Sequence, residues 1–106
     1  MARALVNVPA KVKRGDVVEV KVLISHPMET GFRPDPNGKF YPRDILKHFA
    51  CTYDGEHVFS AELFPAVSAN PFLSFTVVAT QTGVLTFSWT DDKDQTQVQT
   101  AKIEVE

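Results

Sequence analysis

Cysteine occurs only once in the 106 residues, as Cys51, so an internal disulfide and a disulfide-stapled scaffold are excluded. No apolar run reaches the roughly 18 to 20 residues that a membrane helix needs, and residues 1–9 lack the apolar stretch of a signal peptide. The chain also has no excess of positive charge, since it contains 11 Lys and Arg and 13 Asp and Glu. General nucleic-acid binding needs a cluster of basic side chains. We therefore expect neither a membrane span nor a nucleic-acid partner.

The composition is that of a folded domain. Hydrophobic residues make up 43% of the chain and charged residues 23%, which is typical of globular proteins. A chain of this length buries roughly two-thirds of its unfolded surface on folding, and that is enough for stability without a metal. We predict a single domain over residues 1–106.

Strand-forming residues dominate the chain. Val, Ile, Thr, Phe, Tyr and Trp number 37, against 23 for Ala, Leu, Met and Glu, and the first group fits the pleated surface of a sheet. Residues 18–24, 85–90 and 101–105 alternate between apolar and other side chains, which is the period of a strand with one face on a core. Residues 5–8 and 71–79 are predicted to form further strands.

Asp54 and Gly55 predict a tight hairpin between strands over residues 45–53 and 56–64. A type I′ turn needs a positive φ at both central residues, which Asp tolerates and Gly adopts freely. With the hairpin, the number of short strands reaches seven. Seven strands in a chain of about a hundred residues predict an all-β fold, an immunoglobulin-like two-sheet antiparallel sandwich.

Three histidines and the cysteine are the candidate ligands of a metal or redox site: His26, His48, His57 and Cys51. His48 and Cys51 are three residues apart on a predicted strand, so they point to opposite faces. Cys51 shares its face with apolar side chains, which indicates a buried, inert thiol. We predict no catalytic, cofactor-binding or metal site. Two alternatives stay open: a small metal-binding or redox β-sandwich protein that uses these ligands, and a free-standing adhesion or carbohydrate-binding sandwich.

Residues 25–43 interrupt the strand pattern. The segment holds four prolines and two glycines, and irregular connections of this length are typically functional or disordered. It also holds the apolar side chains of Met28, Phe32, Phe40 and Tyr41, which are costly to leave in water. Two alternatives follow: the segment folds back over the sandwich, or it packs against another protein.

Six stretches, in order along the chain, carry a resemblance to a known family. They are residues 9–18, His-Pro-Met-Glu-Thr-Gly at 26–31, Pro-Arg-Asp-Ile at 42–45, Tyr-Asp-Gly-Glu at 53–56, Ala-Asn-Pro at 69–71 and Phe-Ser-Trp-Thr-Asp at 87–91. As an ordered set they resemble the SoxZ family, the smaller subunit of the sulfur-oxidation carrier complex SoxYZ. The likeness covers almost the whole length of the chain.

The resemblance implies an immunoglobulin-like, non-catalytic subunit without a cofactor that pairs with SoxY in thiosulfate oxidation. SoxY holds sulfur intermediates on a cysteine in a mobile, glycine-rich carboxyl-terminal segment. This chain would scaffold that carrier and offer docking surface for transient contacts with other Sox enzymes. The resemblance also implies a periplasmic location, reached without a signal peptide of its own by export together with SoxY.

We expect the SoxY interface within residues 25–43. In this hypothesis Met28 and Phe32 anchor an apolar contact, because Met and aromatic side chains are enriched at interface centres. His26, Glu29 and Arg33 shape its rim. Replacing Met28 and Phe32 together with serine is then expected to weaken heterodimer formation.

Overall fold

The computed structural model describes residues 3–106, which form eight β-strands. They are β1 (Arg3–Asn7), β2 (Lys11–Val12), β3 (Val17–Ser25), β4 (Leu46–Tyr53), β5 (Glu56–Glu62), β6 (Phe72–Val78), β7 (Gly83–Asp91) and β8 (Thr96–Val105). Over this range the chain contains no helix of the length and apolar character needed to cross a membrane.

The strands form two sheets that face each other across the core. β1, β3 and β6 make a three-stranded sheet, and β2, β8, β7, β4 and β5 make a five-stranded sheet in that order. All paired strands are antiparallel except β2 and β8, which are parallel. The predicted all-β sandwich is confirmed, with eight strands instead of seven because the two residues of β2 are too few to show a period.

The core is filled from alternate positions of the central strands. In β3 the side chains at positions 18, 20, 22 and 24 are buried, and those between them are exposed. The ring of Phe49 in β4 is fully buried, with its centroid 6.2 Å from those of Phe59 and Phe75 and 6.4 Å from that of Phe87. Aromatic pairs at these separations stabilise a core beyond the area they bury. The packed core therefore fixes the positions of the strand ends at which the connecting segments begin.

The β4–β5 hairpin turns at Asp54 and Gly55, as the sequence predicts. Their φ angles are 48° and 83°, which a type I′ turn requires. The Asp54 carboxylate accepts hydrogen bonds from the N–H of Val84 at 2.8 Å and from the side-chain amide of Gln81 at 2.9 Å. Asp54 thus also ties the turn to the beginning of β7.

Candidate functional site

The segment between β3 and β4 folds as a two-stranded arm, which we define as residues 29–44. At its base, Glu29 and Asp44 exchange backbone hydrogen bonds of 2.8 Å in both directions. Further out, the N–H of Tyr41 donates to the carbonyl of Arg33 at 2.9 Å. The irregular segment of the sequence is therefore an ordered, hairpin-like element.

The tip of the arm is closed by Asp35. Its carboxylate accepts hydrogen bonds from the N–H groups of Asn37 and Lys39, both at 2.9 Å. Between them, Gly38 has a φ of 79°, a left-handed conformation that is freely accessible to glycine. Local hydrogen bonds shape the tip, so it does not depend on burial for its conformation.

The molecule is elongated. The Cα positions span 59 Å along the longest axis and only 19 and 18 Å across it. A ten-residue strand such as β8 spans about 33 Å. The long axis therefore exceeds the length of any one strand, and the connection between β3 and β4 is the longest segment outside the strands of residues 3–106.

His26 and Met28 root the arm in the core. His26 Nδ1 accepts the N–H of Met28 at 3.0 Å, and the side chain of Asn70 accepts the N–H of His26 at 3.0 Å. The sulfur of Met28 accepts the N–H of Leu46, at the beginning of β4, at 3.3 Å. Only 7% of His26 and 4% of Met28 is exposed. Both side chains are thus part of the sandwich and not of its surface.

On the outer part of the arm, Arg33 lies between a carboxylate and an aromatic ring. Its Nε donates to Oε1 of Glu29 at 3.0 Å, and its Cζ lies 3.8 Å from the centroid of the Tyr41 ring. Hydrogen bonding between the two charged side chains lowers the pKa of Glu29 and raises that of Arg33. The ion pair and the cation–π contact hold the two sides of the arm together.

Two phenylalanine side chains of the arm are left in solvent. Phe32 is 77% exposed and Phe40 is 62% exposed. The N–H of Phe32 donates to the hydroxyl of Thr30 at 3.1 Å, and Phe40 pairs with Pro34 across the arm. Aromatic side chains are enriched at interface centres, so Phe32 and Phe40 are candidate contact residues. Phe40 was not among the expected interface residues, although its apolar character within an irregular segment is visible in the sequence.

Asp92 fixes the base of the arm to the β7–β8 turn. Its carboxylate accepts hydrogen bonds from Arg43 at 2.9 and 3.1 Å and from the N–H of Ile45 at 3.1 Å. These bonds, chiefly the one to Arg43, lower the pKa of Asp92 below its ordinary value of 3.8. Sequence reasoning missed this role because Arg43 and Asp92 are 49 residues apart.

The Asp92 contacts predict a loss of stability in acid. Since the folded-state pKa lies below 3.8, ionised Asp92 stabilises the folded chain above about pH 4, and this contribution is lost as the pH falls through the folded-state value. Thermal unfolding of the wild type and of Asp92→Asn across this range measures the effect. The variant should have the lower Tm at neutral pH, with the two Tm values converging in acid. A difference in Tm that is the same at every pH would contradict this account.

The five residues expected at the interface separate into two groups. Phe32 and Arg33 are exposed on the arm, and Glu29 is half-buried beside them. His26 and Met28 are buried, so the expectation that Met28 presents an apolar anchor to a partner is corrected: its side chain contacts the core of its own chain. Replacing Met28 would therefore test stability and not the surface. Contact of Phe32, Arg33 and Glu29 with SoxY stays a prediction.

The candidate metal ligands lie apart. His48 and His57 are exposed, whereas His26 and Cys51 are buried. Within residues 3–106, no group of three or more His, Cys, Asp or Glu side chains is placed to hold a metal ion. Burial raises the pKa of the Cys51 thiol to about 11, and a protonated, buried thiol is inert.

Several solved structures share this fold. A superoxide reductase (neelaredoxin) from Ignicoccus hospitalis has a TM-score of 0.75 at 19% identity, over 97% of this chain and 80% of that one. The sulfur carrier protein SoxY from Chlorobium limicola f thiosulfatophilum has a TM-score of 0.71 at 14% identity, over 97% and 78%. The PKD domain of an M14-like peptidase from a Thermoplasmatales archaeon has a TM-score of 0.59 at 15% identity, over 96% and 91%. At these identities the likeness shows the fold alone.

A family model covers nearly the whole chain. No curated protein matches the sequence significantly. The model described as "Sulphur oxidation protein SoxZ" matches residues 6–102. This range runs from β1 to β8 and includes the complete arm. The chain therefore belongs to the SoxZ family of the Sox sulfur-oxidation system.

Proposed function

We propose that this chain is a non-catalytic binding subunit that pairs with SoxY through the arm. The observation that carries the proposal is the exposure of Phe32 and Phe40 on an element held in one conformation by its own hydrogen bonds. Membership of the SoxZ family supports SoxY as the partner. The sulfur carrier protein SoxY also shares the sandwich fold.

The arm has the physical features of a binding element. Burying a large apolar side chain that was exposed is worth about 1.5 to 3 kcal/mol, and the arm offers two, Phe32 and Phe40. The arm is already fixed by backbone bonds, so binding loses little conformational entropy. Arg33 and Glu29 form an ion pair on the same arm, and polar groups of this kind form the rim of protein interfaces.

In this proposal the chain acts by shape and charge. With SoxY bound to the arm, the sandwich presents a fixed surface beside the mobile segment of the carrier, and other Sox enzymes dock there transiently. Cys51 is fully buried and its pKa is raised, so the sulfur intermediates stay on the cysteine of SoxY. We also propose that the pair is periplasmic and that SoxY supplies its export signal.

Co-purification tests the proposal. The tagged chain, expressed together with SoxY, should co-purify with it, and native mass spectrometry should show a 1:1 complex without stoichiometric metal. Cell fractionation should recover the pair from the periplasm only when SoxY carries its export signal. The matched control is Val98→Ser, which removes a side chain of 61% exposure from β8 and should leave capture unchanged. If the chain stays monomeric in the presence of SoxY, or if it holds a stoichiometric metal, the proposed function is overturned.

A further inference from the structure

A second apolar surface lies on the outer face of the three-stranded sheet, which we call the outer face. Five side chains there are large, apolar and between 38% and 74% exposed: Leu5, Val17, Leu23, Phe72 and Val78. The strand register places Leu5, Leu23 and Phe72 side by side at one end of the sheet. At the other end, Val17 lies beside Val78. Large apolar side chains that are grouped in this way on a surface mark an interaction site.

Between these ends the outer face carries opposite charges in a fixed order. The exposed side chains of β3 run Val17, Glu19, Lys21, Leu23 and, at the carboxyl end, Ser25. Those of β6 run Phe72, Ser74, Thr76, Val78. Read in reverse, residues 17–23 of β3 and 72–78 of β6 again begin and end with an apolar side chain, and in β3 the positive charge takes the place of the negative one. This part of the outer face is therefore complementary to itself after reversal of the strands.

We propose that the outer face is the contact surface for a second copy of this chain. A two-fold axis that crosses the strands above the Val20–Phe75 pair places Val17 over Leu23 of the second copy and Glu19 over Lys21. By the same symmetry, the two ends of β6 meet each other. On β3 and β6, apolar side chains then face apolar ones and each of the two β3 charges faces its opposite, as a self-complementary interface requires. Two sheets stacked about 10 Å apart bury side chains in this way.

The charges exclude the other way of stacking the two faces. A two-fold axis parallel to the strands would place Glu19 over Glu19 and Lys21 over Lys21 of the second copy, and like charges repel each other. The outer face measures roughly 23 by 14 Å, for seven residues in three strands. This area is small beside the roughly 800 Å² per partner of a stable complex. We therefore expect a weak dimer that forms at micromolar or higher concentrations.

The arm is not part of the outer face. The arm begins beyond the carboxyl end of β3 at Ser25, and the proposed axis reverses β3 in the second copy. The two arms consequently begin at opposite ends of the dimer. The arm and the outer face share no residues, so this proposal does not rest on the function proposed above.

Charge reversal tests this proposal in sedimentation equilibrium. Glu19→Lys gives two lysines on β3 and Lys21→Glu gives two glutamates, so each variant alone should dimerise about tenfold more weakly than the wild type, or worse. Mixed in equal amounts, the two variants should form a heterodimer with nearly the wild-type affinity, because opposite charges again face each other. Both substitutions lie at exposed positions, and recovery on mixing shows that each variant is folded.

Three results would overturn the assignment. The first is a wild type that remains monomeric at several hundred micromolar. The second is dimerisation of the single variants with the wild-type affinity, and the third is a mixture of the two variants that forms no heterodimer. The sedimentation experiment itself contains no SoxY, so its failure would leave the proposed pairing through the arm intact.

Discussion

The double variant Phe32→Ser, Phe40→Ser is expected to bind SoxY about 1,000-fold more weakly than the wild type. Aromatic side chains at the centre of an interface cost about 2 kcal/mol or more each when truncated. A loss of about 4 kcal/mol corresponds to a factor near 1,000 in Kd. Both side chains are mostly exposed in the free chain, so the folded state loses little. Isothermal titration calorimetry of each variant with SoxY measures the change in Kd.

Two controls separate loss of contact from loss of fold. The Tm of the double variant should stay close to that of the wild type, since substitutions of exposed side chains change stability by about 0.5 kcal/mol or less. Val98→Ser, with a comparable exposed fraction on β8, should keep the wild-type Kd. If the double variant binds SoxY within a factor of about two of the wild type, the arm is not the SoxY surface.

Met28→Ala is expected to lower the free energy of unfolding by about 3 kcal/mol, as is typical for truncation of a buried methionine. Met28 is 4% exposed, and its sulfur accepts the N–H of Leu46, so truncation leaves both a cavity and an unpaired buried donor. For a chain of this size the loss corresponds to a fall in Tm of roughly 15 °C. Differential scanning calorimetry measures the Tm.

Phe32→Ala is the matched control for Met28→Ala, because both residues lie in the same segment and only one is buried. The control should change the free energy of unfolding by about 0.5 kcal/mol or less. Equal destabilisation by the two substitutions would contradict the placement of Met28 in the core. A stable Met28→Ala chain that fails to bind SoxY would restore Met28 as a surface anchor.

The strands and turns could be predicted where the residue types and the alternation of apolar side chains indicate the same structure. The alternation from Val18 to Ile24 predicts β3, because one face of that strand packs on the core for its whole length. Asp54 and Gly55 predict the β4–β5 turn, because few residues adopt positive φ easily. β2 could not be predicted, because its two residues are strand only through their pairing with Glu104 and Val105 at the far end of the chain.

The candidate site was predictable in its location but not in its side-chain directions. Prolines and apolar residues single out residues 25–43, and the exposure of Phe32 agrees with that choice. The inward direction of Met28 depends on its left-handed φ of 51° and on the N–H that it donates to His26. No period relates side-chain direction to position in such a segment. The Arg43–Asp92 pair joins residues far apart in the chain and appears only in the folded structure.

Hydrogen–deuterium exchange of this chain with and without SoxY tests the central claim most directly. The account predicts that SoxY slows exchange of the backbone amides in residues 29–44, above all around Phe32 and Phe40, whose side chains would become covered. Amides of β5, at the edge of the five-stranded sheet, should exchange at the same rate in both samples. Slower exchange elsewhere, with the arm unchanged, would contradict the account.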